Sequence, residues 1–100
     1  MTTTRQAPYP VPTPERRQIT QKLAALASTL TDEANDREGN GGAWNDIVRH
    51  ELLRSAGTVR FVTTLIVNGS MSTSQAKFWL KATRDYVNMI RRADKAGVIR

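Results

Sequence analysis

Asp46, His50 and Glu51 are the nearest approach in this chain to a catalytic constellation, and His50 is its one histidine. On a helix Asp46 and His50 would share a face, four residues apart. Carboxylates beside an imidazole can hold a metal ion or move a proton, but a metal site needs further strong donors converging on the same point, and the sequence clusters none there. The chain has no cysteine, which excludes disulfides, thiolate metal sites and thiol nucleophiles. It has no nucleophile elbow and no recognisable triad. The glycines in Asp36–Gly42 lack the Lys-Ser/Thr pair that follows a phosphate loop and therefore read as a turn. Asp46 and His50 are read as surface charges of a helix, at most in contact with each other. The chain is expected to be non-enzymatic, with no cofactor and no metal.

The other chemistry-bearing pattern lies in the last quarter of the chain. Lys77, Lys81, Arg84, Arg91, Arg92 and Lys95 fall within about 100° of arc if residues 72–97 are helical. Asn88 lies within the same arc and adds an amide. Residues 1–71 carry eight Lys/Arg against seven Asp/Glu, whereas residues 72–100 carry seven against two, so nearly all of the formal +6 is concentrated here. A local excess of this kind implies an anionic surface to bind. The leading expectation is a nucleic acid, DNA or RNA, held by its phosphates: arginines making forked contacts, lysines acting as point charges, and counterions released. With four to six phosphates engaged, log K should fall against log salt with a slope of about −4 to −5 on duplex DNA. The alternative is a small regulator, inhibitor or assembly adaptor docking an acidic protein on the same residues, helped by an apolar patch at Phe78 or Met89. A membrane-surface helix ranks last, because the remaining helices offer a protein core for the apolar side.

These side chains need a scaffold. Residues 1–13 alternate Pro8, Pro10, Pro12 with Ala7, Tyr9, Val11, and are expected to be a flexible, extended leader before a helical domain over residues 14–100. Thr13, Pro14 and Glu15 read as the cap, first position and first-turn acid of a helix carrying Ile19, Leu23, Leu26 and Leu30 to about Leu30 or Ala34. A second helix is expected over Ala43–Ala56, with Trp44, Ile47, Val48, Leu52 and Ala56 buried, Arg49 and Arg54 in water, and Gly57 as its stop. Thr58–Val67 is rich in β-branched residues and alternates like a strand, but no second strand follows it, so a short third helix ending at Asn68-Gly69 is preferred to a dimeric ribbon. Ser72 and Gln75 form a capping box for the fourth helix, which Gly97 ends. On it Ala76, Trp79, Ala82, Tyr86, Val87, Ile90 and Ala93 are assigned to the core side, with Trp79 and Tyr86 as anchors; Phe78, nearer the boundary, is the better candidate for an exposed aromatic but could equally complete the core.

The expected architecture is thus all-α, a compact bundle of about four helices. A helix-turn-helix made of the last two is possible in connection length, but most cations lie in the middle and distal half of the second, away from the reading end. No stretch approaches the roughly 18 apolar residues of a membrane span, and the start lacks a secretory pattern, so a cytoplasmic protein is expected. A homodimer could supplement so small a core.

Overall fold

The computed structural model describes residues 13–39 and 42–96. They form three helices, α1 (Pro14–Asp36), α2 (Ala43–Val67) and α3 (Thr73–Ala96), and no strand occurs among the described residues. The proline-rich segment of residues 1–12 and the Gly97 stop lie outside the described residues.

α1 starts as its residues dictate. Thr13 is extended, and its hydroxyl accepts the Arg16 N–H at 3.0 Å while Pro14 opens the first turn. The helix runs past the expected end to Asp36. Ile19, Leu23, Ala27, Leu30 and Ala34 form its buried seam.

The all-α expectation holds, but the second and third predicted helices are one. Val48, Leu52, Ser55, Val59, Val62 and Ile66 are all buried and follow an unbroken 4-3-4-3-4 spacing through Gly57. Gly57 weakens a helix by only about 1 kcal/mol, less than this seam supplies, so it does not stop one. The β-branched run beyond it is helical too. The hydroxyls of Thr58, Thr63 and Thr64 donate to the carbonyls of Arg54, Val59 and Arg60, four residues back, at 2.8 to 3.2 Å. Within α2 two assignments change: Ile47 is 50% exposed, and Arg49 is half-buried, its Nε enclosed without a hydrogen-bond partner.

The turn from α2 to α3 matches its chemistry. Gly69 takes φ +81°, and the N–H groups of Ser70 and Met71 donate to the Leu65 carbonyl at 2.8 and 3.2 Å. The capping box then closes in both directions. Gln75 N–H donates to Ser72 Oγ at 3.1 Å, and Ser72 N–H donates to Gln75 Oε1 at 3.0 Å.

Two buried clusters share α2. One joins Ile19, Leu23 and Ala27 to Val59, Val62, Ile66, Ala76 and Leu80; the other joins Leu30 and Ala34 to Val48, Leu52, Ala56 and Val87. The order is therefore up-down-up, with α1 and α3 both antiparallel to α2. Contacts at both ends of the α2–α3 hairpin make it a side-by-side antiparallel pair rather than a helix-turn-helix. Polar ties hold the ends. Arg16 donates to the Ile66 carbonyl at 2.8 Å, placing a cation at the negative end of α2. At the far end Asp94 accepts from Arg37 at 2.5 Å and from the Trp44 indole at 2.9 Å.

Space around a Cβ at Gly57 is open and its backbone is helical. Gly57→Ala should therefore raise stability by about 0.5–1 kcal/mol, measured by chemical denaturation. A loss of stability would show that this position needs glycine.

Candidate anion-binding groove

α3 has three sectors rather than two. Its buried residues are Ala76, Leu80, Thr83 and Val87. That centre lies about 60° round from the expected core side, towards the cations. Leu80 and Val87 reach deepest and take the helix axis with them. Trp79 is consequently 41% exposed and Tyr86 only half-buried, so neither is a core anchor. Phe78, at 65%, takes the exposed of its two options. Together with Gln75, Ala82, Met89, Ala93 and Ala96 they form a charge-free sector on one flank of the buried line. The cationic sector occupies the other flank and faces α1.

Along that cationic flank α1 and α3 enclose an open groove. Lys22, Leu26 and Thr29 of α1 line it with Lys77, Lys81, Arg84, Asn88 and Arg91 of α3. Ion pairs sit at its two ends. Lys77 Nζ meets Glu15 Oε2 at 2.8 Å, and Arg91 meets Glu33 Oε1 at 2.6 Å with its Nε also 3.2 Å from the same oxygen. Lys81 pairs with Asp85 on its own helix at 2.7 Å. Asn88 Oδ1 accepts from Arg91 Nη1 at 3.2 Å, which fixes the amide and leaves its N–H groups to donate.

The seven residues singled out in the sequence therefore divide. Lys77, Lys81 and Arg91 already carry a carboxylate. Arg84, Arg92 and Lys95 are exposed and have no hydrogen-bond or ion-pair partner among the described residues. Arg92 and Lys95 continue the sector beyond the groove rather than line it. Lys22 was missed by sequence reasoning. It is exposed, likewise unpaired among the described residues, and opposes Arg84 across the groove. Its only sequence signal is its place beside Leu23 on the margin of the α1 seam, which no reading of α3 alone could connect to the stripe. Such a site can receive an anion by charge and hydrogen bonding. Asp46 and His50 are both exposed and share no hydrogen bond or ion pair, and no group of acidic or histidine side chains able to hold a metal occurs among the described residues. No helix among them is long and apolar enough to cross a membrane.

Between α2 and the charge-free sector, Tyr86 donates its hydroxyl to Glu51 Oε1, which also accepts from Arg54 Nη2 at 2.9 Å. The Tyr86 hydroxyl bond, with Arg54 second, holds the Glu51 carboxyl below the ordinary glutamate range. The same bond pushes the Tyr86 hydroxyl above its ordinary value. The lowered glutamate contributes stability above the unfolded glutamate range and loses it as pH falls through its folded value. The raised tyrosine contributes stability below the unfolded tyrosine range and loses it as pH rises through its folded value. Tyr86→Phe should cost about 1 kcal/mol or less near neutral pH, since the group is half in water. Thermal midpoints of variant and wild type should converge below about pH 4 and above about pH 10. A gap that persists at both extremes would mean that the bond is not its source.

Comparison with protein-family models, with curated proteins and with solved structures finds no match to this chain.

Proposed function

We propose that the chain is a non-catalytic, intracellular nucleic-acid-binding accessory protein that engages the phosphate backbone along the α1–α3 groove. One observation carries the reading: Lys22, Arg84, Arg92 and Lys95 are four exposed cations without a partner among the described residues, on one side of the domain, with the Asn88 amide among them. A cation already holding a carboxylate must give it up before it can bind a phosphate; these four need not. From Arg84 to Lys95 the helix advances about 16 Å, roughly five base steps at about 3.4 Å of rise. Among the described residues the groove is lined mainly by cations, Asn88 and aliphatic side chains and by no aromatic one, a lining suited to phosphate contacts, which give affinity without specifying a sequence.

A second reading has its own support. Glu15 and Glu33 show that the cationic sector accepts carboxylates, so an acidic protein could dock where phosphates would. Retention of one stoichiometric acidic partner after nuclease treatment would select it.

Four free cations predict a salt slope of about −3 to −4 on duplex DNA, shallower than the count of charges on α3 alone suggests. Lys22→Gln with Arg84→Gln should reduce the slope by about 2 and weaken binding by about 10- to 50-fold near 0.1 M salt. Oligonucleotide titration by anisotropy across salt concentrations checks both. Affinity insensitive to salt, or unchanged in a folded double variant, overturns the reading.

A further inference from the structure

The charge-free sector of α3 has no job in anion binding. It carries Phe78 (65% exposed), Trp79 (41%) and Met89 (49%), and its Trp79, Ala82 and Tyr86 border the α2–α3 cleft opposite Arg54 and Thr58 of α2. From Gln75 to Ala96 it holds no charged residue, although the same helix carries six cations and two acids within its length. The ion pair that borders the cleft, Glu51 with Arg54, is neutralised internally and capped by Tyr86. Phe78 and Trp79 are set edge to face, ring centroids 5.9 Å apart at 82°, so ordering them against a partner costs little further entropy. A neutral, aromatic strip of this length on an otherwise strongly charged helix is an interaction surface.

We infer that its occupant is a second copy of this chain, packed two-fold through the α2–α3 face. Charge decides between candidates. An acidic partner is drawn to the cationic sector, about 120° away round α3. Two chains of net charge +6 repel, and they approach at least cost where their cations point outward. This face is where that happens. Its size is sufficient. Two helices about 10 Å apart and about 30 Å long present about 600 Å² per copy, or about 1,200 Å² in all, above the roughly 1,000 Å² that a specific interface needs. A two-fold arrangement also makes the strip self-complementary, with Phe78 and Met89, on either side of Ala82, meeting their counterparts. The anion grooves then lie on the two outer flanks of the pair.

The inference does not rest on the anion-binding reading, because it is tested without nucleic acid. Sedimentation equilibrium of the full chain between about 1 and about 100 μM should show the mass rise from one copy of 11.2 kDa to two. The doubly substituted Phe78→Lys, Met89→Lys chain should stay at one copy over the same range with its helical circular dichroism intact, since both side chains are exposed. With Trp44→Phe leaving Trp79 as the sole indole, emission should shift to the blue as concentration rises. A wild-type chain that remains at one copy throughout overturns the inference, as does association unaffected by the two lysines. A one-copy chain whose Trp79 emission is already blue-shifted, and reddens when residues 1–12 are removed, overturns it as well and assigns the sector to the chain's own leader.

Discussion

The central constraint on this fold is the seam along α2. Both buried clusters are built on it, one on Val59, Val62 and Ile66 and the other on Val48, Leu52 and Ala56. α1 covers that seam for nearly its whole length, with the larger side chains Ile19, Leu23 and Leu30. What is left for α3 is a narrow line, met by Ala76, Leu80, Thr83 and Val87. Small residues at Ala76 and Thr83 let the third helix settle close, and a line that narrow buries only about a third of its circumference. The exposure of two distinct flanks on α3 is thus a geometric result of how much of α2 the first helix takes.

Much of this was legible in the residues, and what was not has a physical cause. Local signals at helix ends translated directly, because a cap is satisfied within a few residues: Thr13 with Arg16, Ser72 with Gln75, and Gly69 with Ile66 all form as their types require. Gly57 misled, because a glycine is a stop only where the apolar period also ends, and here the period runs on to Ile66. Trp79 and Tyr86 misled for a different reason. Large aromatic side chains dominate any estimate of an apolar face, whereas the actual axis of burial was set by Leu80 and Val87 against α2. Of the site, the sequence shows the cations of α3 but not which of them are spoken for. Glu15 and Glu33 are separated from Lys77 and Arg91 by 62 and 58 positions, and nothing local announces those pairings. Lys22 is hidden in the same way.

The result is a helix with divided labour. One sector builds the core, one concentrates positive potential beside α1, and one stays free of charge beside α2. Segregating these properties by angle on a single helix keeps an electrostatic surface and an apolar surface from interfering, since an unpaired cation beside Trp79 would be costly to desolvate and an aromatic beside Arg84 would block approach of a polyanion. Asp94, holding both Arg37 and Trp44, fixes the distal end of the helix against the other two, so that all three sectors keep their phase to the tip.

The two ion pairs that bound the groove are not equal. Eighteen residues separate Glu15 from Glu33 on α1, and fourteen separate Lys77 from Arg91 on α3, so the side chains must lean to bridge helices whose anchor points are about 6 Å out of step. Lys77 and Glu15 are more than half exposed, whereas Arg91 and Glu33 are 39% and 28% exposed and share more than one short contact. Dissolved ions screen the outer pair more strongly than the inner one. The seam therefore behaves as a clasp with a fixed pin and a loose tongue: rising electrolyte unfastens it from the end where the chain enters α1, while the Arg91 end keeps the helices in register.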